Sequence, residues 1–186
     1  MLDENYKSQV FAPELSLIFD ESIREFTRLS IVSAPDYFFL DCPASSSGKY
    51  HPIDELGADG TVIHTKKVFT VAYDLCVALE CQANRDEILA ACLIHDLRKQ
   101  GLTRSGHTVK EHPALAVNLI DDIQSATQIL SEKSHRIIRN AVGFHFGLWS
   151  YGDWKKPLSD YNREELCVYL SDFISSKRPV AVNYKK

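Results

Sequence analysis

Long apolar runs, CxxC pairs and internal repeats are missing from this chain of 186 residues, and strand-like alternation is scarce. A membrane helix needs ~18 or more consecutive apolar residues, and no segment approaches that length, so no membrane partner is expected. No charged leader precedes an apolar stretch at the N-terminus, and no export signal is expected. The net charge is -4. That value offers no general attraction to nucleic acid or an anionic membrane, and no segment has the basic clustering of a helix that reads duplex DNA. The five cysteines, Cys42, Cys76, Cys81, Cys92 and Cys167, are odd in number and mostly fall in apolar helical patterns. They are expected to be reduced core residues of a cytoplasmic protein.

What is present is an ordinary globular composition, 45% apolar and 25% charged. A chain of this length buries roughly 70% of the surface its unfolded form exposes, so it needs neither a disulfide nor a structural metal to fold. Any metal it binds is then expected to serve function. The long segments all have helical period, which predicts one all-α domain over 13–186 behind an N-terminal arm over 1–12.

The centre of the chain is Leu89 to Gly101, LAACLIHDLRKQG. Ile88, Leu89, Cys92, Leu93 and Leu97 recur at helical spacing, so a helix from Arg85 to Arg98, closed by Gly101, should carry His95 and Asp96 near its C-terminal end. An imidazole nitrogen beside a carboxylate oxygen suits divalent iron, manganese, zinc, nickel or cobalt.

Upstream, Pro13 opens a helix expected from Glu14 to about Val32, ended by Ala34-Pro35. The aromatic segment DYFFL then leads into a long loop to Gly60. Ser45 to Ser47, Lys49 and His51 in that loop can all donate to an anion, and the loop reads either as a binding loop or as a flexible linker. Thr61 to about Cys81 is the best-patterned helix, with Val62, Ile63, Val68, Phe69, Ala72, Tyr73, Cys76 and Leu79 on a broad apolar face. His64 lies in its first turn and, alone, reads as a hydrogen-bonded core residue. A four-residue turn, Gln82 to Arg85, returns the next helix antiparallel. At ~1.5 Å rise per residue, His64 is about 26 Å from that turn and His95 about 15 Å, so the two helices must cross or be offset for these side chains to meet.

Downstream of Gly101, a basic loop precedes Pro113, a good first helical residue that leaves His112 at the accessible mouth of a helix to about Ile123. A helix from Glu132 to Phe146 follows, with His145 near its end, and then an aromatic loop to Trp154. The last helix is expected from Arg163 to about Ser176, with Leu166, Val168, Tyr169, Leu170, Phe173 and Ile174 as its apolar residues. Asp172 falls inside that run, where an ionised carboxylate is costly unless paired or metal-bound.

In chain order, His64, His95-Asp96, His112, His145 and Asp172 resemble the ligand series of the HD-domain superfamily of metal-dependent phosphohydrolases, over about residues 50–178. GTVIHTKKV carries the first histidine, LAACLIHDLRK the pair with a following lysine, and YLSDFISSKR the last aspartate. The resemblance implies a single compact helical bundle and a four-ligand set of His64, His95, Asp96 and Asp172. His112 and His145 match the additional histidines of the branches in which the aspartate of the pair bridges two divalent ions. His107 and His135 match nothing in the series and are expected at the surface. PASSSGKYHP before GTVIHT is similar to the approach to the first ligand in HD exonucleases acting on short oligonucleotides, with Tyr50-His51 where a double histidine is usual.

The implied chemistry is hydrolysis of a phosphate ester or anhydride, of a nucleotide, dinucleotide or short oligonucleotide, by metal-activated hydroxide. Lys99, three residues beyond the bridging Asp96, reads either as a phosphate ligand or as a solvated lysine. His51 is the candidate proton donor to the leaving oxygen, and Lys49, Arg104 and Arg178 are further phosphate candidates. Tyr50, Phe146, Trp149 and Tyr151 either stack on a base or pack as a lid. Two other readings keep the fold: a di-iron oxygenase, and a nucleotide-binding regulatory module without turnover.

Overall fold

The computed structural model describes residues 2–150 and 152–177, and within them nine α-helices follow one another without a strand. They are α1 (Glu4–Val10), α2 (Ala12–Leu15), α3 (Glu21–Val32), α4 (Tyr37–Leu40), α5 (Gly60–Ala78), α6 (Arg85–Ile94), α7 (His112–Thr127), α8 (Glu132–Phe144) and α9 (Arg163–Ser175). Among the described residues, no helix is long and apolar enough to cross a membrane.

Every residue from Ile88 to Ile94 in α6 is fully buried. A helix apolar on all sides has to be central, and α6 is enclosed by α3, α5, α8 and α9. Each fully buried Leu or Ile here contributes ~1.5–3 kcal/mol relative to exposure. The α-helix stops at Ile94 rather than at Arg98, and residues 95–101 wind on in tighter turns bonded three residues apart, as in Leu97 N–H to Ile94 O and Lys99 N–H to Asp96 O. Side chains three apart eclipse in that winding, which sets Lys99 over Asp96. Tyr37 of α4 holds the turn, its hydroxyl donating to Gly101 O at 2.6 Å and accepting from Gln100 N–H at 3.2 Å.

On α5, Thr61, His64, Thr65, Val68, Ala72 and Cys76 form one buried stripe at spacings of three and four. The apolar face is narrower than the sequence pattern suggests, since Tyr73 is exposed and Val62 only half-buried. Helices α5 and α9 run antiparallel along each other: His64 meets Asp172 towards one end and Cys76 meets Cys167 towards the other. On α9, Phe173 and Ile174 point outward, because the buried side is taken by Cys167, Val168, Ser171 and Ser175.

The loop from Cys42 to Gly60 is pinned by backbone bonds, Cys42 N–H to Ala58 O, Ala44 N–H to Glu55 O and Thr61 N–H to Cys42 O. It is not a free linker. Gly60 is required where the loop meets α5, since a Cβ there would lie 1.9 Å from Glu55 O. Residues 4–10, polar and poorly patterned, form a docked helix: Lys7 is buried, donates to Ala34 O at 2.6 Å and pairs with Asp36 at 2.9 Å, closing the end of α3. The expected single helix from Glu14 to Val32 is broken at 16–20. Asp86 of α6 accepts from the N–H groups of both Phe19 and Asp20, and Asp20 caps α3 at Ile23, so a distant carboxylate stabilises the break.

Candidate metal centre

Three histidines reach the centre from helix termini. His95 follows α6, His112 opens α7 and His145 follows α8. Each ring places Nδ1 on the carbonyl oxygen three residues earlier: His95 on Cys92 at 2.7 Å, His112 on Val109 at 2.7 Å and His145 on Val142 at 2.6 Å. A carbonyl oxygen only accepts, so Nδ1 carries a proton and Nε2 faces inward, where in a neutral ring it presents a lone pair. Burial pushes His112 down to about 4 and His145 down to about 3, so both rings are neutral at pH 7.

Those lone pairs converge on one carboxylate. His112 Nε2 lies 3.0 Å from His145 Nε2 and 3.4 Å from Asp96 Oδ1, which is 3.8 Å from His145 Nε2. On the other oxygen, Oδ2, Asp96 is 3.5 Å from His95 Nε2, a buried nitrogen with no hydrogen-bond partner, and it pairs with the Lys99 ammonium. Acceptor atoms facing one another without a proton between them repel unless a cation is shared. The donor set of imidazole nitrogen and carboxylate oxygen fits a divalent transition ion. The ligand atoms of Asp96, His112 and His145 lie within 4.8 Å of one another, as do those of His64, His95 and Asp96. Asp96 belongs to both groups.

His64 is held differently. Its Nδ1 is 3.1 Å from Glu55 Oε2 and its Nε2 2.9 Å from Asp172 Oδ1. Burial opposes a charge on this ring, but the two carboxylates prevail and raise it to about 9. Both carboxylates are held below their usual range, against burial, by their histidine partners and, for Glu55, also by Lys67. Glu55 is fully buried, and the same Oε2 takes His51 Nδ1 at 2.7 Å, while Lys67 Nζ lies 2.8 Å from Oε1. Asp96, despite burial, is held far below its ordinary value by Lys99 and the neighbouring histidines.

A cavity of about 430 Å³ opens over Asp96, Lys99, His112, His145 and Asp172. Ser45 to Ser47, Tyr50 and His51 line one side, and Phe146, Trp149, Tyr169 and Phe173 line another. Phe146 stands edge-on to His112 at 4.6 Å. His112, expected at an accessible helix mouth, is 1% exposed and meets the outside only through this cavity. Lys99 is neither solvated nor free, being buried against Asp96. Lys49 is exposed and does not line the cavity. Arg104 is held by Asp41 away from it. Arg178 and Tyr151 lie outside the described residues. His107 is exposed and His135 pairs with Asp121, both away from the centre.

Glu55, Tyr169, Phe173 and Lys177 are site residues that the sequence reading did not single out as such. Tyr169, Phe173 and Ser176 share the face of Asp172 at helical spacing, which was a readable signal. Glu55 had none, being one acid in an irregular acidic loop.

A helical domain that gathers His64, His95, Asp96, His112, His145 and Asp172 at one buried centre, with Asp96, His112, His145 and Asp172 lining the cavity above it, is, as a class, an all-α domain with a candidate metal centre. The HD domain family model matches residues 61–176, more than half of the chain, and the chain belongs to the HD-domain family, a superfamily of metal-dependent hydrolases that bind divalent ions. Comparison with curated proteins and with solved structures finds no match.

Proposed function

We propose that this chain is a metal-dependent phosphohydrolase that cleaves a phosphate ester or anhydride of a nucleotide, dinucleotide or short oligonucleotide. The observation that carries the reading is the convergence of the Nε2 atoms of His95, His112 and His145 on Asp96, which forms the floor of an aromatic-walled cavity. His64, His95, Asp96 and Asp172 would hold one ion, and Asp96, His112 and His145 a second, with Asp96 shared. When bound, such a pair supplies hydroxide from water at neutral pH and positive charge opposite the phosphoryl oxygens.

The chain's own residues do the rest. Lys99 offsets the charge of Asp96 and keeps a cation at the cavity floor, beside the position a phosphoryl oxygen would take. Glu55 occupies Nδ1 of His51 and so leaves Nε2 to exchange protons. Burial lowers the His51 ring in spite of that hydrogen bond, so at neutral pH Nε2 is an acceptor. His51 therefore suits taking a proton from water or a substrate hydroxyl, rather than starting as the acid that protonates the leaving oxygen. Tyr50 and Trp149, both largely exposed at the rim, offer faces on which a base would stack, and the hydroxyls of Ser45 to Ser47 offer donors to phosphate.

The test pairs elemental analysis with a hydrolysis panel. Protein prepared without chelator or oxygen is expected to hold about two ions per chain, which Asp96→Ala loses, and to release products from mononucleotides, dinucleotides or short oligonucleotides. Absence of cleavage with iron, manganese, nickel, cobalt and zinc would sink the reading. Iron-dependent oxygen consumption would replace it with an oxygenase, and tight nucleotide binding without turnover with a regulatory module.

A further inference from the structure

Away from the His/Asp centre, Cys76 near the end of α5, Cys81 in the turn beyond it and Cys167 in α9 bring their sulfurs within 4.8 Å of one another. All three are free and buried. Cys76 Sγ lies 4.0 Å from Cys167 Sγ. A disulfide requires ~2.05 Å, whereas two thiolates bound to one ion at ~2.3 Å lie ~3.8–4.0 Å apart. Cys76 is twelve residues along α5 from His64, ~18 Å by helical rise, so the two clusters are separate.

We propose that Cys76, Cys81 and Cys167 form a three-thiolate site for one divalent thiophilic ion of the zinc and cadmium class. Binding forms three sulfur–metal bonds and releases three thiol protons to solvent. The contacts given up are weak: Cys81 S–H on Cys76 O at 3.6 Å and Cys167 S–H on Ala72 O at 3.8 Å. A divalent ion with three thiolates leaves one net negative charge, and a monovalent ion would leave two. Arg85, paired with Asp86 at 3.3 Å and held between the rings of Phe19 and Tyr73, is the positive charge that acts on the Cys76 thiol. The Cys167 contact lowers the Cys76 thiol against burial, with help from Cys81 and the Arg85 charge. Burial raises Cys81, and the Cys76 contact together with burial raises Cys167, so an ion has to displace the protons of those two thiols. An ion here ties α5 and the turn after it to α9, the two helices that carry His64 and Asp172.

The test uses the full chain produced with cadmium in the growth medium, so that the ion is present as the core closes. The His/Asp centre contains no sulfur and is silent in sulfur-to-cadmium charge-transfer absorption. One cadmium per chain giving that absorption is expected, with three sulfur neighbours by X-ray absorption, and with the signal lost in Cys81→Ser and Cys167→Ser proteins that keep their helical circular dichroism. Folded wild-type protein without the band or without sulfur neighbours overturns the proposal, as does a band at full strength in both variants. The three thiols would then be core residues bonded to helix carbonyls.

Discussion

His112 and His145 are tethered through Nδ1 to backbone carbonyls, whereas His64 is gripped at both nitrogens by the carboxylates of Glu55 and Asp172. All three rings are buried to within 1%. Burial therefore does not decide their charge; the partner does. At His112 and His145 burial, reinforced by neighbouring histidines and, at His112, by Lys99, outweighs the carbonyl bond and the Asp96 carboxylate that both rings share, so they stay neutral. Two carboxylates hydrogen-bonded directly to the ring outweigh burial at His64. The carbonyl-tethered side is ready to receive a cation, and the His64 side must first give up a proton.

The largest break in this comparison comes from the residue both halves share. Asp96→Ala is expected to abolish turnover, strip the metal from both halves and leave Lys99 buried without its partner, lowering stability by about 3–5 kcal/mol in urea denaturation. Retention of two ions by that variant would contradict the shared-ligand arrangement. Next, His145→Ala should remove the ion on the carbonyl-tethered side and keep the one near His64, which elemental analysis reads as a loss of about one ion per chain.

Glu55→Gln attacks only the carboxylate-held side. Above pH about 9, where the His64 ring is neutral in both proteins, metal affinity there should fall about 10–100-fold, as when a residue orienting a ligand is lost. The His64 titration followed by NMR in metal-free protein should drop from about 9. An unchanged titration would mean that Asp172 alone sets the charge.

The pH response sharpens the contrast further. In chelator-treated protein, His64 has a raised folded value, so its contribution is full below its ordinary pKa and is lost as pH rises through about 9. His112 and His145 have lowered folded values, so their contribution is full above the ordinary histidine value and is lost as pH falls towards about 4 and about 3. Thermal unfolding should therefore show greatest stability at pH ~6.5, falling towards the His112 and His145 values on one side and towards the His64 value on the other. Metal uptake on the His64 side should tighten about tenfold per pH unit from pH 7 up to that value, because one proton leaves, while uptake on the other side stays flat. The smallest effect is expected at the rim: Trp149→Ala should raise KM about fivefold or more through lost base stacking and leave kcat unchanged.

Much of this centre was readable before any coordinates. The apolar period around Ile88 to Leu93 marks a buried helix, and the His95-Asp96 pair at the end of that run becomes a candidate site once the other histidines and Asp172 are set beside it. The ordered histidines and Asp172 enter as the other candidate ligands through resemblance to a known family. What escaped reading lies mainly where there is no period. Glu55 sits in an irregular loop, the break at 16–20 is stabilised by Asp86 from another helix, and Lys7 docks the first helix by reaching carbonyls more than twenty residues away.

Sequence by itself determined the class of fold, the elements that carry each ligand and the residue types available to a cation, because helical period and ligand chemistry are local properties. Only the tertiary structure decided which nitrogen of each histidine faces the centre, that Glu55 joins it, that Arg104 does not, and that three cysteines from two helices and a turn meet. Burial and the carboxylate partners depend on segments brought together from distant parts of the chain, and those set the charge of His64, His112 and His145.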